Sequence, residues 1–276
     1  MMFRGKHIFN ASFETYAGEY HSARPGYPDV LFADIWSQGT FGPASKILEI
    51  GAGSGIATKN LAKSGSHVVA LEPGEKLAAI AAEQVRDAAN VKVVRTTFEE
   101  YETNQQFDAV MAFTAFHWLN EGAKYQRIAD LLNDSGLLVL VWNSFFQSDA
   151  EATRAVNTAY REFLPAVYPE EEAIEQVNAG VLSKLNGRER DVVSNPLFYP
   201  ILLKKYLVTY QYDHEMYAKL LNTFPKVIQT EDAVRQRFLT RISEIVKQYG
   251  AISVPILSTL IICRKRAAFL QEVSKS

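Results

Sequence analysis

The sequence predicts an α/β fold in which a mostly parallel sheet is flanked by helices. Short apolar segments typical of buried strands occur at 46–50, 68–71, 91–94 and 107–112. Helical patterns separate these segments, and such alternation favours parallel strands joined by right-handed crossovers. A glycine-rich turn follows the first strand, at the edge where sheets of this kind hold their ligands.

The glycine-rich turn at 51–55 reads Gly-Ala-Gly-Ser-Gly and leads into a helix expected over about 56–63. Glycine is needed where the backbone has positive φ or approaches a ligand closely, because a Cβ would clash there. The free N–H groups at the start of the following helix also face this turn. A nicotinamide-cofactor motif would place glycine where this chain has Ile56.

Two carboxylates flank the glycine-rich turn. Glu49 stands two residues before its first glycine, and Glu72 ends the second strand, followed by Pro73. An acid beside the turn favours a cationic ligand and would repel a pyrophosphate. Glu72 is placed to accept hydrogen bonds from ribose hydroxyls, as an acid does in dinucleotide folds. The alternative is an ordinary strand-to-helix turn in which Glu72 only caps a helix.

This pattern resembles the first motif of the class I S-adenosylmethionine-dependent methyltransferases, in particular the small-molecule, type 11-like enzymes. The resemblance is strong over 16–143 and weak elsewhere. It implies a Rossmann-like, doubly wound sheet of seven strands, the last of them antiparallel. Candidates for the sixth and seventh strands are 201–210 and 252–263. The implied cofactor is S-adenosyl-L-methionine, with S-adenosyl-L-homocysteine as its product.

The family motifs also imply which residues contact the cofactor. These are Glu49, Gly51, Ala52, Gly53, Gly55, Glu72, Pro73, Thr97, Phe98, Glu99, Phe113, Thr114, Ala115, Tyr20 and Arg24. The adenine-binding turn of the family corresponds to 97–99. Tyr20 and Arg24 belong to a segment that resembles the lid of this subfamily, where Arg24 would bind the methionine carboxylate. Alternatively, Arg24 only precedes the next helix.

The acceptor pocket is expected beside the end of the fourth strand. A Phe-His-Trp sequence there suggests that His117 and Trp118 line the pocket, and Tyr16 of the N-terminal segment is a further aromatic candidate. His117 is the candidate general base for a hydroxyl or amine acceptor. The alternative is a structural histidine, which a carboxylate acceptor would favour because it is already ionised at neutral pH. The five histidines are scattered, so no metal site is predicted.

The whole chain, 1–276, is interpreted as one methyltransferase domain. An N-terminal lid arm is expected over 1–30, and helical cap insertions over 149–190 and 213–249. Such insertions would build the acceptor pocket, although a helical cap with only a packing role is the alternative. A turn is expected at 133–136, between a helix and the fifth strand.

Composition narrows the possible partners. The 276 residues carry a formal net charge of −2, which argues against a protein that follows a nucleic-acid backbone. The single cysteine, Cys263, excludes a disulfide framework. The N-terminal sequence lacks an apolar signal segment, and the apolar run 252–263 is too short to span a bilayer. A cytoplasmic location without nucleic-acid or membrane partners is therefore expected. The oligomeric state is not defined.

The sequence thus predicts methyl transfer to a small-molecule acceptor, at a carboxylate or hydroxyl oxygen. Oxygen is favoured only because the His-Trp subfamily includes enzymes that esterify small carboxylates. A methyltransferase acting on RNA or protein is one alternative, and a non-catalytic S-adenosylmethionine-binding protein is another. A nicotinamide dehydrogenase is the remaining one.

Overall fold

The computed structural model describes residues 14–166 and 172–266, and these contain one seven-stranded sheet. The strands are β1 (Lys46–Ile50), β2 (His67–Leu71), β3 (Val91–Val94), β4 (Phe107–Phe113), β5 (Leu132–Phe145), β6 (Phe198–Tyr212) and β7 (Ile252–Lys265). Their order across the sheet is β3-β2-β1-β4-β5-β7-β6. The central strands β1 and β4 and the middle of β5 are runs of mainly apolar residues that are buried on both faces.

Helices follow most of the strands. They are α1 (Ala17–Ala23), α2 (Asp29–Ser37), α3 (Thr58–Ala62), α4 (Glu75–Gln84), α5 (Lys124–Leu131), α6 (Glu151–Phe163), α7 (Ile174–Val193), α8 (His214–Leu221), α9 (Pro225–Ile228) and α10 (Asp232–Tyr249). The predicted fold class is confirmed: the sheet is mostly parallel, with antiparallel strands at one end, and helices flank it. Within the described residues, no helix is both long and apolar enough to cross a membrane.

The strand register brings three chain segments to one edge of the sheet. β1 pairs in parallel with β2 and with β4, and Ile50 lies opposite both Leu71 and Ala112. The turns that follow these three strands therefore start side by side. β3 joins β2 with Leu71 opposite Val94, so the turn after β3 also starts at this edge.

The predicted turn at 133–136 is part of β5. Pairing of β4 with β5 shifts between Phe107 opposite Leu132 and Ala109 opposite Leu137. A step of two residues along β4 is therefore matched by a step of five residues along β5. The extra residues of β5 are accommodated as a bulge. The prediction of a turn at 133–136 is therefore wrong, because the strand continues through these residues.

The chain divides into two compact units. The first unit contains the described residues of Met1–Pro25, Ser144–Lys184 and Leu207–Leu257. The second unit contains those of Gly26–Asn143, Leu185–Tyr206 and Ser258–Ser276. Much of the two predicted insertions, 149–190 and 213–249, belongs to the first unit.

Each unit has its own apolar core. Helices α6, α8 and α10 and the start of β7 supply the core of the first unit, including Val156, Leu220 and Phe238. Helix α2 and the central strands supply the core of the second unit, including Ile35 and Met111. Cys263 in β7 is fully buried, and burial raises the pKa of its thiol to about 12. The insertions are thus more than surface loops, since they form a packed core.

Candidate cofactor and acceptor site

The glycine-rich turn after β1 has a backbone that other residues would strain. Gly51, Gly53 and Gly55 have φ values of 68°, 57° and 81°. A Cβ placed on Gly51 would lie 2.6 Å from the Cβ of Ala115, well inside van der Waals contact. Glycine at position 51 therefore satisfies two requirements, positive φ and a close approach to the segment after β4.

Glu49 is a buried carboxylate directly below this turn. Its side chain is 1% exposed, and its Oε2 accepts a hydrogen bond from Thr58 Oγ1 at 2.7 Å. Within the described residues, its Oε1 has no hydrogen-bond partner. Burial and the charge of Glu72 raise the Glu49 pKa, the Thr58 hydrogen bond opposes them, and the resulting pKa is about 7. A cationic ligand nearby would stabilise the ionised form.

Glu72 organises the turn from the end of β2. Its Oε2 accepts from the Gly53 N–H at 2.8 Å, and its Oε1 accepts from the Gly74 N–H at 2.9 Å. Gly74 precedes the first residue of α4, so one carboxylate holds both the glycine-rich turn and a helix start. Pro73 lies between Glu72 and Gly74 in the sequence. Each oxygen can accept more than one hydrogen bond, so ribose hydroxyls remain possible donors.

The predicted adenine-binding turn follows β3. Phe98 is buried, 3% exposed, with the guanidinium of Arg127 5.3 Å from its ring centroid. Arg127 Nε also donates to the Phe98 carbonyl at 3.1 Å. The hydroxyl of Thr97 lies 3.0 Å from a Glu100 carboxylate oxygen, and Glu99 accepts from the Asn120 N–H at 3.0 Å. These contacts fix the turn at the same edge as Glu72.

Thr114, directly after β4, adopts an unusual backbone conformation. Its φ of 57° is the only positive value at a non-glycine residue in the described chain. The Tyr27 hydroxyl lies 3.0 Å from the Thr114 hydroxyl, which also accepts from the Asn143 N–H at 3.2 Å. The ring of Phe113 lies beside Tyr27, with centroids 5.1 Å apart. Backbone strain maintained by such contacts is commonly found at functional sites.

His117 lies in a short turn, Phe116–Trp118, that begins two residues after Thr114. Burial, together with the positive charges of Arg188 and Lys124, lowers the pKa of His117 to about 3. The imidazole is therefore neutral at physiological pH. Its Nδ1 is buried and has no hydrogen-bond partner among the described residues. A neutral ring can accept a proton, but so low a pKa makes it a weak base.

The three site residues predicted near the N-terminus lie in the first unit, and the glycine-rich turn lies in the second. Arg24 donates from Nε to Thr223 Oγ1 and from Nη2 to the Thr223 carbonyl, both at 2.9 Å. The Arg24 guanidinium lies 5.2 Å from the Tyr20 ring centroid, and that of Arg235 lies 5.1 Å from the Tyr16 ring centroid. Their contribution to a cofactor or acceptor site stays a prediction.

Some polar residues of the site were not identified from the sequence. Asn143 donates from Nδ2 to the Gly26 carbonyl at 3.1 Å, and its Oδ1 accepts from Ser258 Oγ at 2.5 Å. With Tyr27 and Thr114, these residues form one hydrogen-bonded network. Asn143 is the first polar residue after the buried apolar run of β5. A polar residue at the end of such a run could have indicated this position from the sequence. In the described chain, no cluster of three or more His, Cys, Asp or Glu side chains is arranged for a metal ion.

The strand order and the glycine-rich turn between Glu49 and Glu72 together define a class I methyltransferase fold. Residues 47–136 match the sequence model of a methyltransferase domain. An uncharacterised methyltransferase of Mycobacterium tuberculosis is 29% identical over 133 residues, which are 48% of this chain and 52% of the relative. The match thus spans about half the length of such curated relatives.

Other relatives and solved structures agree with this fold. An uncharacterised methyltransferase of Staphylococcus carnosus is 29% identical over 150 residues, 51% of this chain and 70% of the relative. A candidate type II methyltransferase of Anaeromyxobacter dehalogenans has a TM-score of 0.57 at 20% identity, with 88% of this chain and 97% of that chain covered. A methyltransferase of Geobacter sulfurreducens, solved with S-adenosyl-L-homocysteine, has a TM-score of 0.51 at 12% identity over 93% of this chain and 98% of that chain.

Proposed function

We propose that this protein is an S-adenosylmethionine-dependent methyltransferase whose acceptor is a small molecule. The observation that carries the proposal is the glycine-rich turn with three positive φ angles, held between two buried carboxylates, Glu49 and Glu72. Positive φ at its glycines opens the backbone to close approach by a ligand. A cation near Glu49 would stabilise a carboxylate that burial otherwise disfavours.

The residues of this chain fit the proposed cofactor. When bound, S-adenosylmethionine supplies an activated methyl group on a positively charged sulfur. Glu49 would favour the positive charges of its amino-acid end, and Glu72 would accept from its ribose hydroxyls. The turn at 97–99 would hold the adenine. Thr114 and Ala115, fixed beside Gly51, would form the wall next to the reacting atoms.

Methyl transfer from sulfonium is an in-line displacement, so the task of the protein is alignment and exclusion of water. The buried Phe113 and Phe116 would supply a dry surface after β4. His117, neutral and weakly basic, suits an acceptor that needs little help in losing a proton. This supports an oxygen acceptor that is already ionised, a carboxylate, over an amine.

Two features support a small molecule over RNA or protein. The net charge of −2 provides no general attraction to a polyanion. The segment after β4 reads Thr-Ala-Phe-His, which differs from the Asn-Pro-Pro-Tyr type of amine-methylating enzymes. As part of this proposal, we expect the protein to act in the cytoplasm.

Calorimetric titration with S-adenosylhomocysteine tests cofactor binding, with NAD as the competing ligand. At one hundred times its dissociation constant, a ligand should stabilise the fold by about 2.7 kcal/mol in a thermal-shift assay. E72Q should weaken binding of S-adenosylhomocysteine about tenfold or more, because the ribose loses a charged acceptor. The matched control is E75Q, which removes an exposed carboxylate from the same helix start.

A preference for NAD, or equal affinities of E72Q and E75Q, would contradict the cofactor assignment. Turnover is measured separately, as release of S-adenosylhomocysteine on incubation with S-adenosylmethionine and a pool of small metabolites. Binding without any release would instead assign the protein as a non-catalytic cofactor-binding protein.

A further inference from the structure

A half-buried arginine without an anionic partner lies near the end of β5. Arg188, in the second half of α7, has its guanidinium 5.9 Å from the ring centroid of Trp142. Among the described residues, the Arg188 side chain has no hydrogen bond or ion pair. Burial lowers its pKa, yet a guanidinium stays protonated under all ordinary conditions. The position therefore holds a permanent, partly desolvated positive charge.

Two other polar groups close to Arg188 also lack partners in the described chain. The indole Nε1 of Trp142 and the Nδ1 of His117 are both buried and make no hydrogen bond. Trp142 is 1% exposed, so its N–H is shielded from bulk solvent by the protein. Arg188 is near enough to His117 for its charge to lower the histidine pKa. Unpaired buried polar groups are costly, and a cluster of them needs an explanation.

The other cation beside His117 is already neutralised. Lys124 Nζ lies 3.1 Å from a Glu121 carboxylate oxygen and 3.9 Å from one of Asp191. Its ammonium also lies 4.5 Å from the Phe116 ring centroid. The titratable groups that act on His117 are thus one paired cation, Lys124, and one unpaired cation, Arg188.

These groups lie near the same edge of the sheet as the glycine-rich turn. The turn that contains His117 begins at Phe116, two residues after Thr114, and a Cβ on Gly51 would touch Ala115. Trp142 immediately precedes Asn143, whose N–H binds Thr114. Arg188 reaches this edge from α7, outside the segment matched by the methyltransferase family. A cation supplied from outside the matched segment is well placed to select the acceptor rather than the cofactor.

We propose that Arg188 binds a carboxylate group of the methyl acceptor, with the Trp142 indole N–H as a further donor to the same group. This inference rests on the proposed function and names its substrate class. A guanidinium presents parallel N–H donors that match the two oxygens of a carboxylate. One unpaired positive charge balances one carboxylate, whereas a phosphate dianion would leave negative charge in a partly desolvated place.

The first test uses His117 as a reporter of charge at Arg188. In protein saturated with S-adenosylhomocysteine, the His117 ring is titrated by NMR in the wild type, R188Q and R190Q. R188Q should raise the His117 pKa from about 3, because a neighbouring positive charge is gone. Arg190 is exposed on the same helix, so R190Q removes the same charge and should leave the titration unchanged.

The second test uses benzoate and hexanoate as carboxylate probes, their primary amides as neutral controls, and inorganic phosphate as the competing anion. The carboxylates should shift the His117 signals of the wild type and of R190Q and leave those of R188Q unmoved. R188K should recover part of the response. Equal responses to acids and amides, no response to either acid, equal behaviour of R188Q and R190Q, or a response to phosphate alone would overturn the proposal.

Turnover supplies a third readout. When a metabolite extract is separated by charge, acceptor activity should appear in the anionic fraction. R188Q should raise the KM for that fraction about tenfold or more, with a smaller change in kcat, while R190Q changes neither. Activity confined to the neutral or cationic fraction would contradict the inference. Failure of S-adenosylhomocysteine to bind would instead contradict the proposed function. The carboxylate-induced shift of the His117 signals could still be measured in the unliganded protein, so the two failures are distinguishable.

Discussion

Replacement of Glu49 by glutamine should make the protein less sensitive to rising pH. Burial raises the Glu49 pKa to about 7 from an ordinary value of 4.5. Between these values the folded protein holds a proton that the unfolded chain has lost. Unfolding then releases a proton, so the stability contributed by protonated Glu49 is complete below 4.5 and is lost as the pH rises through 7.

The size of the effect follows from the two pKa values. The shift from 4.5 to about 7 amounts to about 3 kcal/mol in total, at about 1.4 kcal/mol per pKa unit. Most of this, about 2–3 kcal/mol, should be lost between about pH 5 and about pH 8. Glutamine has nearly the same shape and can still accept the hydrogen bond of Thr58, so E49Q removes the charge and little else.

The measurement is denaturant unfolding of the wild type and E49Q, without cofactor, across this pH range. Other titrating groups are present in both proteins, so their contributions cancel in the difference. The free energy of unfolding of E49Q should rise by about 2–3 kcal/mol relative to the wild type between about pH 5 and about pH 8. A difference that stays constant with pH would refute the assignment of a buried, proton-binding carboxylate. E49Q should also bind S-adenosylmethionine more weakly, most clearly above pH 7, where wild-type Glu49 is ionised.

Three further predictions concern other parts of the protein. G51A should lower the free energy of unfolding by about 1–3 kcal/mol, because the backbone φ at this position is 68° and the added Cβ would clash. G18A adds a Cβ in open space on a helix and should not lower it. Chemical denaturation of both variants measures the difference. The pH profile of kcat/KM should show no step attributable to the ordinary pKa of a histidine, since burial holds His117 near 3, and a step that H117N removes would contradict this. T223V should lower the free energy of unfolding by about 1–3 kcal/mol, because Arg24 loses the hydroxyl that accepts from its Nε. An unchanged melting curve would show that this hydrogen bond contributes nothing to stability.

The fold was predictable because its signals are local. Each central strand is a short apolar run, and the turn after β1 needs glycine at positions that the sequence shows directly. What could not be predicted about the fold also has a physical reason. Nothing in the local sequence shows that β5 continues through 133–136, because a bulge depends on the partner strand. The bounds of α7, which extends to Val193, depend on packing in the same way.

The candidate site was predictable in part. The glycine-rich turn and its two flanking acids follow a motif whose spacing encodes their geometry. Arg188 was missed because it lies 71 positions after His117, and only the folded chain brings their charges near each other. Tyr27 and Asn143 were missed for the same reason, since each meets Thr114 from a distant part of the sequence.

The left-handed backbone at Thr114 has a consequence for which residues can replace it. Glycine or asparagine would tolerate that φ angle better but would forfeit the hydroxyl that joins Tyr27 to the Asn143 amide. Serine alone keeps the hydroxyl while easing the crowding of a branched side chain. In a saturation library selected for methyl transfer, this codon should therefore be among the least permissive outside the glycine-rich turn, with serine as its main surviving substitute.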